Sequence, residues 1–424
     1  MKKNILVFPC GSEIALEIHR SVKDSIHFHL IGASSVDDHG KFVFDDYIEN
    51  IPFITDTNCI SFLAQIVKER KIDAIYPAMD LVIEVLKKHE KELGCIVIAS
   101  SLETTALCLS KKETYTALSN TMLVPKLFEK DEIVEYPVFV KPDIGYGSRG
   151  AEKIHNKVEL ESAIQKNPSL LICEYLSGEE FTVDCFTDKN KKLLFASART
   201  RSRITNGISV HTKPVKDNES YLNLAKKIHA IIDFRGAWFF QVKKNAEGEL
   251  VLLEIASRLG GSSALFRSLG INFALLSLYD AFDIPVSILQ NSFDIELDRA
   301  LNNRYKTNIA FNEVYIDYDD CIFSNDTGFN TDIMKFLFQC KNKNIKITLI
   351  SKHDGNLEKK LESQGIKNLF DRIVHLKNNE KKSKYIDNTN AIFIDDSFAE
   401  RKEIFENKSI PVFSIDMIEV LIGD

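Results

Sequence analysis

No apolar run in the 424-residue chain approaches the roughly 20 residues that a helix needs to cross a bilayer. A membrane partner is therefore not expected. The eight cysteines form no CxxC pair, and Cys95, Cys173 and Cys185 lie inside apolar runs. They read as reduced core residues of a cytoplasmic protein, not as zinc ligands or disulfides. Basic residues are in deficit: the net charge is −7, with no basic stripe interleaved with aromatics, which excludes a nucleic-acid footprint. The opening MKKNILVFPCGSE has two lysines and an apolar run too short for the core of a signal peptide. Its turn Pro9-Cys10-Gly11-Ser12 lacks the GxGxxG fingerprint, which speaks against a dinucleotide site. What remains is a soluble globular composition, 44% apolar and 27% charged, long enough for two or three domains.

Residues 1–105 alternate strand and helix. Strands are predicted at Asn4–Pro9, Ile26–Gly32, Ile72–Pro77 and Cys95–Ser100. Helices are predicted at Gly11–Lys23, Cys59–Lys71 and Leu81–Leu93. A βαβ series of this kind implies an open parallel sheet. The stretch Leu102–Asn120 is helical, with Lys111 and Lys112 near a helix junction, where a solvated surface charge is the plain reading.

The centre of the chain is YPVFVKPDIGYGSRG, residues 136–150. Pro137–Val140 reads as a buried strand, with Lys141 at its end and Pro142 stopping the ladder. The loop beyond holds Gly145, Gly147 and Gly150. Its backbone N–H groups could approach phosphate oxygens, Ser148 adding a hydroxyl and Lys141 a point charge. The competing reading is a surface hairpin whose lysine snorkels to water and buries little. Further on, LLICEYL carries Glu174, and Arg199, Arg201 and Arg203 alternate along one strand edge. Such a like-charge row is costly unless an anion faces it. A hairpin around Asn245–Gly248 carries Gln241 and Glu254, followed by Arg258. Glu254, leaving the apolar run VLLEI, suits Mg²⁺ or a salt bridge to a neighbouring arginine. The hairpin register, and so the pairing of Gln241 with Glu254, is open.

Taken together and in order, KKETYTAL, FVKPDIGYGSRG, CEYLSGEEFTVD, the arginine row, FFQVKK and LLEIASRLGG resemble the ATP-grasp superfamily. The resemblance covers about residues 1–300, the βαβ segment matching the domain that precedes ATP-grasp. It implies ATP phosphates held by Lys111, Lys141 and the loop containing Gly147 and Ser148. It implies adenine near Glu174 and Leu176, ribose at Glu180, and Mg²⁺ at Gln241 and Glu254. Arg258 would face the transferred phosphoryl group or the substrate carboxylate. The family usually has Asn two residues after the metal-binding Glu; here that position is Ala256. The implied chemistry is ADP-forming carboxylate–amine ligation through an acyl phosphate, with small-molecule substrates.

The polar stretch LDRALNNRYKT opens a linker at residues 297–311. Beyond it, three apolar strands end in Asp317, Ser351 and Asp395-Asp396. Carboxylates gathered at one sheet edge repel unless a divalent cation sits among them. This part resembles the haloacid dehalogenase (HAD) superfamily over residues 312–424. The resemblance implies Asp317 as nucleophile, Asp319 as general acid/base, Ser351 and Lys382 (or Lys381) on the phosphoryl oxygens, and magnesium at Asp317, Asp319, Asp395 and Asp396. Cys321 stands where the family usually has Thr. The interval before Ile345 leaves no room for a large cap, so an uncapped domain is expected. The fold expected overall is α/β: a Rossmann-like domain at 1–105, an α+β ATP-grasp domain at 106–296, the linker, and an HAD-like α/β domain. The expected function is a ligase fused to a phosphatase acting on a phosphorylated substrate. The alternatives are a ligase with a HAD-like docking domain, and a non-ligating ATP-binding or phosphotransfer protein. Homo-oligomer formation is left open.

Overall fold

The computed structural model describes residues 2–422 except 134, 146, 148, 206, 302, 303 and 306. The chain divides into two compact units, 1–302 and 303–424.

The first unit opens with a five-stranded parallel sheet. Its strands are β1 (Lys3–Phe8), β2 (Phe28–Ala33), β3 (Tyr47–Ile48), β4 (Ala74–Pro77) and β5 (Ile96–Val97), in the order β3-β2-β1-β4-β5. Ile5, Leu6, Val7 and Phe8 are all buried, because a central parallel strand is covered on both faces. The helix Glu13–Val22 starts where Ser12 Oγ accepts the Ala15 N–H at 3.1 Å, and it buries Ala15, Ile18 and Val22.

Antiparallel sheets follow. β6 (Leu127–Phe128), β7 (Val138–Pro142), β8 (Glu152–Ile154) and β9 (Leu170–Glu174) form a sheet in the order β6-β9-β7-β8. Pro142 does not stop the ladder but is its last rung, opposite Leu170. β10 (Glu180–Thr187), β11 (Leu193–Thr200), β12 (Arg203–Thr205), β13 (Ile208–Thr212), β14 (Gly236–Lys244), β15 (Leu250–Ala256) and β16 (Leu297–Asp298) complete the unit. Four of these form the sheet β11-β10-β14-β15, and three form β12-β13-β16. Leu297, expected to open a linker, instead pairs with Thr212, and Arg299 bonds back to Ser262 and Glu13.

One core joins the parallel sheet to the antiparallel part: Ile5, Ile18 and Phe28 share it with Phe186, Phe266 and Phe273. Polar seams reinforce it, with Ser100 Oγ donating to the Arg235 carbonyl at 3.1 Å and Arg267 pairing with Glu17 at 2.7 Å. Phe266 is fully buried in that core, so its truncation to Ala should cost about 3–5 kcal/mol. Residues 1–105 and 106–296 accordingly fall within one compact unit.

The second unit contains β17 (Glu313–Ile316), a small hairpin of β18 (Phe323–Ser324) and β19 (Gly328–Phe329), then β20 (Lys346–Ser351), β21 (Arg372–His375), β22 (Ala391–Ile394) and β23 (Val412–Phe413). The main sheet is parallel, ordered β21-β20-β17-β22-β23. The chain winds outward from β17 on one side and then returns to its other side. The crevice at the carboxyl ends of β17 and its neighbours is therefore a topological switch point. Between β17 and β20 the described residues hold only that hairpin and the helix Thr331–Asn342, capped by Asn330.

Candidate functional site

Lys141 lies inside β7, one rung before its end, and is not a surface lysine: its relative exposure is 7%. The cause lies far away in sequence. The β14–β15 ladder pairs Gln241 with Glu254 and then Val242 with Leu252, a bulge that leaves Leu253 unopposed. The freed Leu253 carbonyl accepts the Tyr115 hydroxyl at 2.6 Å and Lys141 Nζ at 3.3 Å, and Nζ also donates to Tyr115 Oη at 2.5 Å. Burial lowers the Lys141 pKa, against the pull of Cys173 and Glu254.

Lys111 supports the glycine loop from below, donating to the carbonyls of Asp143 and Gly145 at 3.1 and 3.4 Å. Asp143 returns its carboxylate to Ser110 Oγ and the Lys112 N–H, both at 2.8 Å, at the start of the helix Lys111–Leu118. Gly147 has φ +61° and lies backbone to backbone against Gly207. A Cβ on Gly207 would stand 2.4 Å from the Gly147 carbonyl carbon. Ser148, expected beside it, lies outside the described residues.

The arginine row is not a row. Arg199 pairs with Asp184 at 2.6 Å, Arg201 with Glu180 at 2.6 Å and Arg203 with Asp298 at 2.5 Å. The chain's own carboxylates neutralise it, so the row does not require a bound anion. Glu174, expected near adenine, gives one oxygen to the Lys126 N–H at 2.9 Å. Arg258 does not stand free either: its guanidinium forks onto Asp80 at 2.8 and 2.7 Å. Ala256 is buried and offers no polar atom beside Glu254.

Three cavities run through this unit and share walls. An inner one of about 80 Å³ is lined by Glu174, Leu176 and Lys243. It shares Phe139, Lys141, Glu180 and Leu253 with a middle one of about 140 Å³, which Lys111, Gly145 and Gly147 also line. The middle one shares Gly147, Arg201, Gly207, Gln241 and Glu254 with an outer one of about 600 Å³, which Arg258 lines. Gln241 and Glu254 thus stand side by side at the junction of the middle and outer cavities. A half-buried carboxylate beside an amide oxygen is a donor set suited to a hard cation.

In the second unit Lys382, 3% exposed, bridges Asp317 Oδ1 and Asp395 Oδ2 at 2.6 Å each. Burial pushes the Asp317 carboxyl up to about 6 despite Lys382. Burial alone would lower the Lys382 pKa, but the two carboxylates hold it above its ordinary value. Ser351 Oγ is buried and has no hydrogen-bond partner by distance and angle, although it lies close enough to bias Asp317 downward.

The four carboxylates expected to share a metal do not converge. Asp319 holds the ring of His353 at 2.9 Å, and Asp395 turns to Lys382 and to the Ser397 N–H at 2.8 Å. Among the described residues of this unit, Asp317, Cys321 and Asp396 bring ligand atoms within 4.8 Å of one another and could hold an ion. The two carboxylates suit magnesium; a thiol is a softer donor and does not.

Asp80, Tyr115, Asp143, Asp184 and His353 were missed in the sequence. Asp80 had a signal, since it follows the apolar run Ala74–Met79 as Asp317 follows its own strand. The others act through partners distant in the chain and had none.

The family model described as "ATP-grasp in the biosynthetic pathway with Ter operon" matches residues 166–311, stopping short of Asp317. A D-alanine–D-alanine ligase of Fusobacterium nucleatum subsp. nucleatum is 31% identical over 217 residues, 47% of this chain and 72% of that protein. A 3-methyl-D-ornithine–L-lysine ligase of Methanosarcina mazei is 26% identical over 66% of this chain and 74% of its own. Among solved structures, N5-carboxyaminoimidazole synthetase from Staphylococcus aureus complexed with ADP has a TM-score of 0.57 at 17% identity. That alignment covers 68% of this chain and 81% of the synthetase chain. The shared fold and the 31% identity say the same thing as the motifs: the chain belongs to the ATP-grasp superfamily, in its carboxylate–amine ligase type.

Proposed function

We propose that residues 1–302 form an ADP-forming carboxylate–amine ligase using ATP and Mg²⁺. The observation that carries this reading is the run of three joined cavities with Gln241 and Glu254 at the second junction. Adenine would lie by Glu174 and Leu176, ribose by Glu180, and the phosphates by Lys111, Lys141 and Gly147. The γ-phosphoryl group would then reach the wall shared with the outer cavity, where a substrate carboxylate can attack it in line. The resulting acyl phosphate yields to an amine, giving an amide and inorganic phosphate. Lys141 supplies a cation in a nearly dry position, where its charge is poorly screened. Magnesium held by Glu254 and Gln241 would draw charge from the transferring phosphoryl oxygens. Arg258, fixed by Asp80, is set to orient the acid. Separation of nucleotide products tests this: ADP with phosphate supports it, and AMP with pyrophosphate overturns it.

For residues 303–424 we propose an uncapped HAD-like phosphatase. Its support is the buried Asp317–Lys382–Asp395 bridge at a switch-point sheet edge, beside the unpartnered Ser351 hydroxyl. Asp317 would attack the phosphoryl group, and Asp319 would protonate the leaving oxygen and then activate water. Ser351 and Lys382 would hold phosphoryl oxygens, and Asp317 with Asp396 the magnesium. The alternative docking role draws on Cys321, which puts a thiol into the ion site. Hydrolysis of an aryl phosphate by the full chain, abolished in Asp317→Asn, separates the two.

A further inference from the structure

The outer cavity, at about 600 Å³, is in the range of small-molecule sites, about 300–1,000 Å³. Its two ends differ in chemistry. The end shared with the middle cavity carries Arg201, Gln241 and Glu254. The wall belonging to the outer cavity alone includes Val36, Phe53, Ile54, Met79 and Leu81. These residues follow β2, β3 and β4, at the carboxyl ends of parallel strands where open sheets bind ligands. Val36, Phe53 and Leu81 are 52%, 55% and 42% exposed. Single exposed apolar side chains are ordinary, but these line one cavity, together with polar Ser12, Ser34 and Ser35.

Most charged side chains of this cavity already have ion-pair partners within the chain, although Arg199 Nη1 is buried without a hydrogen-bond partner. Arg258 is forked onto Asp80, Arg199 is paired with Asp184, Arg201 with Glu180, and Glu13 with Arg299. Asp38 accepts from Ser34 Oγ and the Gly40 N–H. An anionic substrate side chain entering here would be desolvated beside arginines that already carry carboxylate partners. An apolar one would cover side chains that now face water.

We propose that the carboxylate substrate carries a bulky apolar group, branched aliphatic or aromatic, seated on Val36, Phe53, Ile54 and Leu81. This rests on the ligase reading above. The acid presents its carboxylate at the Gln241–Glu254 junction and its apolar group to the opposite wall. The carboxylate oxygen forms a bond to the γ-phosphorus as the bond to ADP breaks. Hydroxylamine then attacks the carbonyl and expels phosphate, so a hydroxamate reports acyl phosphate formation without knowledge of the natural amine.

The test uses the full chain with Mg-ATP and hydroxylamine, comparing L-phenylalanine and L-leucine with glycine and L-glutamate. The expected result is kcat/KM at least about tenfold higher for the apolar acids. Leu81→Asp and Phe53→Ser should each raise KM for L-leucine about tenfold, while ADP affinity, read by calorimetry, stays unchanged. A preference for glycine or glutamate, or an unchanged KM in both variants, overturns the proposal. If no acid gives hydroxamate, the ligase reading fails by itself. Calorimetric titration of L-phenylalanine into the ADP-loaded protein then decides this one: binding lost in Leu81→Asp supports it, and no binding overturns it.

Discussion

Gln241 and Glu254 face one another across the β14–β15 hairpin, immediately before the bulge that releases the Leu253 carbonyl. The same irregularity therefore builds the carboxylate–amide pair and the seat of Lys141. Glu254→Gln keeps the shape of the pair and removes its charge. ATP turnover should fall by about 100-fold or more, while ADP binding persists through Lys111 and Lys141. Steady-state ADP release and calorimetric ADP binding check this; turnover at the wild-type level would remove Glu254 from the metal site.

Lys141→Ala should weaken nucleotide binding and also destabilise the fold. A snorkelling lysine would cost almost nothing, but this one fills space over the Tyr115 ring and bonds two buried oxygens. The expected loss is about 1–3 kcal/mol. It is read from the denaturation midpoint at unchanged slope.

Asp317→Asn should abolish magnesium-dependent aryl phosphate hydrolysis and leave ATP-dependent ADP release intact. The two activities are then measured on one preparation. A loss of both would show that the units do not work independently.

The raised Asp317 pKa has a sign in stability. Burial moves it from 3.8 to about 6, so between these values the folded chain binds more protons than the unfolded one. Stability therefore falls as pH rises through that window, by up to about 3 kcal/mol. In magnesium-free buffer, Asp317→Asn should gain stability relative to wild type between pH 4 and 7. Parallel melting curves across this range would contradict the assignment.

Asp317 and Asp395 were legible as strand-end residues because a short apolar run marks where the chain leaves the core, whereas Lys141 and Glu254, read the same way, sit inside their ladders opposite Leu171 and Gln241. The ATP-grasp order of motifs was legible as a family resemblance carried by the motifs jointly, from KKETYTAL to LLEIASRLGG. The burial of Lys141 was not, because it depends on a bulge more than a hundred residues away. The arginine row was misread, because alternation reveals a shared face but not the carboxylates arriving from β10 and β16. Asp395 was placed correctly at the sheet edge, yet its orientation is decided by Lys382, whose approach no local pattern announces.

The core that Ile5, Ile18 and Phe28 share with Phe186, Phe266 and Phe273 has a consequence for inheritance. The front hundred residues cannot be traded between lineages like a cassette. A recombination point near residue 105 would leave raw apolar faces on both pieces and strand Glu17 and Asp80 without their arginines. Any new front piece has to arrive with side chains that match this core.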